Sequence, residues 1–202
     1  MQTNILALLA LAGASLAASP VGGGSWTKVS PSFDIQQCAG GKVSGNSFSI
    51  PKSPNGDTGG SGCSNGHLRA ERRYRNNYSS GVHQFAGTFT INSKGGDRIA
   101  IQQTFDEDDG PYFIMAVKGS DLYSVEGGGT IASGVAGVGK KVTINTIHDV
   151  GQKKFTVYVN GVQKFSESAP SGNFYNKLGC YTTNSGTGPM SITWDDVAFW
   201  TR

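Results

Sequence analysis

The chain has 202 residues, only 15% of which are charged, and a formal net charge of +3. This length suits one domain with a sizeable core, and the mild positive charge suits an acidic polymer as partner without requiring one. We expect neither a nucleic-acid-binding surface nor a membrane-spanning segment. The basic excess is small, and every apolar run is shorter than the ~20 residues that span a bilayer.

The first 17 residues have the features of a secretory signal peptide. They contain no charged side chain, an apolar run from Ile5 to Ala12, and the small-x-small sequence Ser15-Leu16-Ala17. The apolar run is too short to cross a bilayer and is typical of the central part of a signal peptide. We therefore expect cleavage after Ala17, a single mature domain at residues 18–202, and an extracellular location.

A secretory route permits disulfide bonds, and the chain has three cysteines. Cys38 and Cys63 lie in glycine-rich segments that indicate loops, whereas Cys180 alternates with strand residues. We predict a Cys38–Cys63 disulfide and a buried free thiol at Cys180, although spacing alone leaves the connectivity open. The cysteines lack Cys-x-x-Cys spacing, which argues against a zinc site.

From residue 18 onward, short runs of alternating apolar and polar residues are separated by glycine- and asparagine-rich turns, a pattern typical of all-β proteins. Asn160-Gly161 between two such runs is a strong signal for a two-residue hairpin. We find no helical periodicity and predict an antiparallel β-sandwich, a jelly roll of two packed sheets. The predicted strands span residues 68–74, 83–91, 98–105, 112–117, 141–148, 154–159, 162–165, 175–182 and 191–200.

Two predicted strands place polar residues along one side, because successive side chains of a strand point to opposite faces. In the strand at 68–74 Leu68 faces inward, and in the strand at 175–182 Cys180 does so. The first row is His67, Arg69, Glu71 and Arg73, and the second is Tyr175, Lys177, Gly179 and Tyr181. Either row would suit an ordinary solvated strand, but the second also suits an exposed floor for binding sugars.

Between these rows lies the strand at 98–105, in which Gln103 is predicted to share a face with Ile101 and Phe105. A glutamine at such a position is more often a surface residue than a catalytic one. Gln103 therefore indicates a functional site only in combination with the two polar rows.

Two loops and two further histidines carry separate predictions. Asn77 heads an Asn-x-Ser sequon for N-glycosylation, which requires an exposed loop. The acidic turn at 106–109 indicates a solvated loop or a structural calcium ion, and we expect no other cofactor. His83 is assigned to a packed face, and His148 to a surface or turn position near a strand end.

Together the three strands resemble the signature strands of the family 7 alginate lyases, which are jelly-roll polysaccharide lyases. The sequence from Arg69 to Arg73 matches the family's Arg-x-Glu-x-Arg strand. The sequence from Tyr175 to Tyr181 matches its Tyr-Phe-Lys-Ala-Gly-x-Tyr strand at the Tyr, Lys, Gly and Tyr positions. The family's Gln-(Ile/Val)-His strand is matched only by its glutamine, because Phe105 stands where the family has a catalytic histidine.

The resemblance implies a concanavalin A-like jelly roll that cuts a uronate polymer, of alginate or glucuronan type, by β-elimination. Arg69 and Gln103 would bind the uronate carboxylate, and Tyr181 would transfer protons, with His67 as the base or its partner. Small fungal lyases of the glucuronan type share the jelly roll and place a histidine elsewhere, a role that His67 would fill here. The residues implied to bind neighbouring parts of the substrate are Glu71, Arg73, Tyr175 and Lys177.

Two alternatives stay open. A lectin-like, non-catalytic protein would keep the sugar-binding sheet without turnover, as the missing motif histidine allows. A glycoside hydrolase needs two carboxylic acids across the scissile bond, and the chain has no Glu-x-Asp-x-Glu strand to supply them. In each case we expect a monomer with an acidic polysaccharide as partner.

Overall fold

The computed structural model describes residues 18–56, 63 and 66–202, so the predicted signal peptide lies outside the described residues. The described part forms fifteen β-strands and contains no helix of the length and apolar character needed to cross a membrane. The strands are β1 (Thr27–Val29), β2 (Phe33–Cys38), β3 (Lys42–Ser44), β4 (Ser47–Ile50), β5 (Arg69–Tyr74), β6 (Val82–Lys94), β7 (Asp97–Asp106), β8 (Gly110–Lys118), β9 (Asp121–Ser124), β10 (Gly129–Ala132), β11 (Lys141–Asp149), β12 (Lys154–Val159), β13 (Val162–Ser168), β14 (Phe174–Thr187) and β15 (Met190–Thr201).

The strands form two antiparallel sheets that pack face to face, which confirms the predicted jelly-roll sandwich. The eight-stranded sheet runs β13-β12-β11-β6-β15-β4-β3, with β1 added on β15. The seven-stranded sheet runs β10-β9-β8-β7-β14-β5-β2. Large apolar side chains, among them Trp194, Phe89 and Met115, are fully buried in the core that the two inner faces share.

All nine predicted strands are present, and the strand at 154–159 has the predicted bounds. The predicted hairpin at Asn160-Gly161 is also present, with φ values of 51° and 77° at the two residues, as a turn of the mirror-image type requires. The sequence missed six strands of three to six residues each, namely β1, β2, β3, β4, β9 and β10. Such short strands contain too few alternating positions to be recognised by their pattern.

The predicted disulfide joins Cys38, at the end of β2, to Cys63, with 5.4 Å between the two Cα atoms. Cys180 on β14 is a buried free thiol, also as predicted. The disulfide closes a loop over a sequence separation of 25 residues, which corresponds to roughly 3 kcal/mol in the chain-entropy model. It therefore ties the edge strand β2 to the segment that leads into β5.

The prediction that Gln103 shares a face with Ile101 is wrong, because β7 contains a bulge. Ala100 pairs with Ala116 and Gln102 pairs with Met115, so Ile101 is an extra residue on the β7 side. Ile101 packs in the core, whereas Gln103 emerges on the outer face of the seven-stranded sheet. One extra residue reverses the alternation of side chains for the rest of the strand.

His148 is not at the surface, contrary to prediction, but is buried near the end of β11 with 1% of its surface exposed. Its Nδ1 lies 3.1 Å from the hydroxyl of Tyr78, and its ring meets Phe174 edge-on. His83 stacks on the Tyr78 ring at 3.8 Å between centroids. These side chains form an aromatic cluster at one end of the sandwich.

Candidate active site

A cavity of about 620 Å³ lies on the outer face of the seven-stranded sheet, and we call it the groove. Its floor comes from the central strands β5, β14 and β7, which are neighbours in that order. The four residues predicted to be catalytic all line it, and so do two of those predicted to bind substrate. These six residues are His67, Arg69, Gln103, Tyr175, Lys177 and Tyr181.

The register of the sheet explains why residues distant in sequence meet in the groove. On one side of β14, Tyr181 pairs with Arg69 of β5. On the other side, Lys177 pairs with Gln103 of β7. The groove side chains are nevertheless buried rather than exposed as predicted, with Tyr181 8%, Arg69 6% and Lys177 5% exposed.

Glu71 is the anchor of the floor. Its carboxylate is 1% exposed and accepts hydrogen bonds from Arg69 Nη1 and from Gln103 Nε2, each at 2.5 Å. Gly179 pairs with Glu71 on the intervening strand and carries no side chain to separate Glu71 from Gln103. Glu71 does not line the groove, so its place is beneath the predicted substrate ligands rather than among them.

The buried Nε of Arg69 has no hydrogen-bond partner within the described part of the chain. Glu71 neutralises the guanidinium through Nη1 and leaves this N–H donor available. A buried, unsatisfied donor is costly unless a ligand pairs with it. Arg69 lines the groove and supplies a positive charge for an anionic group bound there.

His67 and Tyr181 form a proton-exchanging pair at one end of the groove. His67 Nδ1 lies 2.7 Å from the Tyr181 hydroxyl, and the guanidinium of Arg69 lies 4.1 Å above the Tyr181 ring. The other side of Tyr181 packs against Ala100 and Ile114. The phenol is thus held between an imidazole, a cation and an apolar wall, and its hydroxyl can exchange a proton with His67.

The other end of the groove is a stack of aromatic and cationic groups. Phe105 stacks on Tyr175 with 5.2 Å between ring centroids. Lys177 Nζ lies 4.5 Å from the centroid of Phe105, and the Arg73 guanidinium lies 4.0 Å from that of Tyr175. Burial lowers the pKa of Lys177 to about 8, although the Glu71 carboxylate opposes the shift. Lys177 lines the groove, whereas Arg73 does not, and the binding of substrate by both residues stays a prediction.

The groove also contains residues that the sequence did not single out. Gln36 on β2 lines it and has a buried side-chain oxygen without a hydrogen-bond partner in the described structure. Glu126 and the segment 183–185 complete its rim. Gln36 lies in one of the short strands that the pattern missed. The rim residues follow no strand motif, so no signal in the sequence marks them.

The predicted sequon lies beside the groove. Asn77 is exposed, as expected; its Nδ2 donates to Glu107 at 2.9 Å, and its Oδ1 accepts from Arg73 at 3.2 Å. Glycosylation at this position stays a prediction. In the acidic turn, the Asp106 carboxylate accepts the backbone N–H of Asp108. No group of three or more metal-binding side chains occurs among the described residues, and a structural calcium ion also stays a prediction.

Comparison with solved structures places this architecture among alginate lyases. The family 7 enzyme AlgAT5 superimposes with a TM-score of 0.61 at 16% identity, over 78% of this chain and 80% of that one. AlyA1 of Zobellia galactanivorans gives 0.60 at 13% identity, over 88% and 95%. The chain has the jelly-roll fold of the family 7 alginate lyases. An alginate lyase from Corynebacterium sp. gives 0.55 at 19% identity, over 66% and 68%.

Comparison of sequences gives a different neighbour. No family model matches the chain. A citrate-binding protein of Hevea brasiliensis is 28% identical over 134 residues, which are 64% of this chain and 54% of that protein. The match thus spans about half the length of this relative.

Proposed function

We propose that this protein is a secreted polysaccharide lyase that cleaves a polyuronate by β-elimination. The observation that carries the proposal is the hydrogen-bonded pair of His67 and Tyr181, set beside Arg69 and Gln103 in one groove. The pair supplies a proton acceptor and a proton donor, and the other two residues supply partners for a carboxylate. The likeness of the fold to that of the family 7 alginate lyases supports this assignment.

β-Elimination from a uronate begins with the carboxylate. The proton on C5 becomes removable only when the negative charge of the adjacent carboxylate is neutralised. The guanidinium of Arg69 and the second amide N–H of Gln103, both from residues that line the groove, are proposed to bind it. Glu71 fixes both donors before substrate arrives, so the site has little reorganisation to undergo during the reaction.

The proton transfers then balance within the pair. The C5–H bond breaks and its proton passes to the pair; the electron pair forms the C4–C5 double bond; the C4–O bond breaks. The leaving glycosidic oxygen takes a proton from the Tyr181 hydroxyl. The 2.7 Å hydrogen bond between His67 and Tyr181 returns the pair to its starting state, because the proton gained from C5 replaces the one given to the oxygen.

The Tyr181→Phe substitution tests this mechanism directly. It removes the hydroxyl and keeps the ring, so we expect the rate of formation of the unsaturated product to fall by about 10²–10⁴-fold while polymer binding changes little. The measurement pairs ultraviolet absorbance of the unsaturated uronate with retention on an immobilised polyuronate. Tyr158→Phe, on β12 of the other sheet, is the matched control and should keep the wild-type rate. A Tyr181→Phe protein with unchanged turnover would place the proton donor elsewhere.

A second candidate function is the binding of small polycarboxylates without turnover. The relative named for citrate binding favours it, as do the three cationic side chains Arg69, Arg73 and Lys177 around the groove floor. Calorimetric titration of the wild-type protein with citrate and with oligouronates separates the two functions. Tight citrate binding with no unsaturated product from any polyuronate would favour this candidate and also the broader alternative of a non-catalytic carbohydrate-binding protein.

A further inference from the structure

We infer that the groove acts only on uronates whose C5 hydrogen and C4 oxygen lie on the same face of the sugar ring. These are β-D-glucuronate and β-D-mannuronate, whereas α-L-guluronate, the C5 epimer of mannuronate, has the two groups on opposite faces. The inference rests on the proposed function and narrows its substrate. It follows from the positions of two sets of side chains in the groove. His67 and Tyr181 can exchange a proton with the substrate, whereas the wall of Phe105 and Tyr175 cannot accept one at neutral pH.

The proton-exchanging groups of the mechanism approach the substrate from one side. His67 and Tyr181 are in direct contact at 2.7 Å, so neither can reach around the sugar ring to the face opposite its partner. The Tyr181 ring is held by Arg69 above it and by Ala100 and Ile114 beside it. The pair therefore works as one unit that takes a proton and returns one on the same face.

Strand β7 contributes no further base at the position where the family 7 motif has its histidine. Phe105 occupies this position, stacked on Tyr175 and in contact with the Lys177 ammonium group. A phenyl ring exchanges no proton. Lys177 is largely cationic at neutral pH because its pKa stays near 8, and burial raises the pKa of Tyr175, which keeps that phenol protonated. Neither group is suited to remove the weakly acidic C5 proton at neutral pH.

The stereochemistry then decides the substrate. When H5 and O4 share a face, one unit can accept the proton from C5 and deliver a proton to the leaving oxygen. When they lie on opposite faces, as in guluronate, a base on the far side of the ring must remove H5 while Tyr181 protonates O4. The wall formed by Phe105 and Tyr175 offers no such base.

The experiment compares three homopolymers, namely polymannuronate, β-1,4-linked polyglucuronate and polyguluronate, by the rate at which each yields unsaturated ends. We expect product from at least one of the first two and a rate at least about 100-fold lower on polyguluronate, the usual effect of lacking a positioned base. Comparable rates on polyguluronate would overturn the inference and leave the lyase function standing. No product from any of the three would instead overturn the lyase function, and the inference with it.

Two substitutions of one residue isolate the cause. Phe105→His should raise the ratio of polyguluronate to polymannuronate cleavage at least tenfold, because it adds a group that can exchange a proton. Phe105→Leu keeps an apolar side chain and should leave that ratio unchanged. An equal rise in both variants would show that Phe105 acts through its volume, which would overturn the argument. A wild-type activity on polyguluronate that Glu126→Gln abolishes would overturn it as well, by identifying a second base at the rim.

Discussion

Glu71 shows how a residue can define a site without touching its ligand. It is a buried carboxylate, and burial of a charge is costly unless it is paired and hydrogen-bonded. Arg69 and Gln103 satisfy it, and in doing so each loses the freedom to turn away from the groove. The sequence motif identified all three residues but assigned Glu71 to the substrate. Only the contacts reveal that it acts through its two neighbours.

Glu71→Gln should therefore lower kcat far more than it changes KM. An amide can still accept from Arg69, but its own NH₂ group faces the NH₂ of Gln103, and both donors lose their fixed positions. We expect a loss of one to two orders of magnitude in kcat together with about 1–3 kcal/mol of stability. Steady-state kinetics and denaturant unfolding measure the two effects.

Glu107→Gln provides the control for that prediction. Glu107 also faces an arginine, Arg73, but at 3.6 Å and with 48% of its side chain exposed. A solvent-exposed ion pair of this kind is worth less than about 1 kcal/mol. If both substitutions had the same small effect on kcat and stability, Glu71 would not be the anchor described here.

At the scale of single strands, alternation predicted the faces of β5 and β14 but failed in β7. In β5 and β14 apolar residues such as Ala70 and Cys180 face the core, and polar residues such as Arg69 and Lys177 face the groove, so the alternation can be recognised. In β7 the bulge at Ile101 shifts the phase, and no glycine marks it. Gln103 was assigned to the site through the family motif, since the periodicity alone placed Ile101 on the wrong face, although it placed Phe105 correctly.

Gly179 is a position of β14 at which the sheet has no room for a side chain. Its φ is +142°, and an added Cβ would come within 2.8 Å of Glu71 Cα and 2.9 Å of Phe48 Cδ1, besides meeting the backbone oxygen of Ala70. Gly179→Ala should thus cost at least about 2 kcal/mol through strain and displacement of β5. The same substitution at Gly129, whose added Cβ meets no atom within 4 Å, should change stability by less than about 0.5 kcal/mol. Denaturation midpoints of the two variants test the contrast, and equal midpoints would contradict it.

The whole sandwich combines a groove held by charged groups with an aromatic cluster at one end that buries a histidine. The sequence indicated the sandwich because its long strands repeat one pattern and its turns carry the required glycine and asparagine residues. It did not indicate the cluster, because Tyr78, His83 and His148 come together only through the pairing of β6 with β11 and the bridge from Tyr78 to Phe174. The sequence around one residue of such a contact carries no pattern that predicts the other residue.

The buried His148 makes the stability of the whole molecule depend on pH. Burial lowers its pKa to about 4 from its usual value of 6.5; His83 adds to the shift and Asp149 opposes it. Because the folded-state pKa is the lower one, the neutral form stabilises the fold above pH 6.5, and this contribution is lost as the pH falls from 6.5 towards 4. The difference between the two pKa values corresponds to about 3 kcal/mol.

His148→Asn keeps a hydrogen-bond acceptor for Tyr78 but cannot be protonated in this range. The free energy of unfolding, measured across this interval, should fall more steeply for the wild type than for His148→Asn, whatever the variant's stability at neutral pH. Carboxylates that titrate near pH 4 affect both proteins alike, so parallel curves would mean that His148 does not carry the effect. His83→Asn, measured in the same way, should flatten the curve less, because His83 is only half-buried and a backbone hydrogen bond to Ser80 offsets the lowering of its pKa.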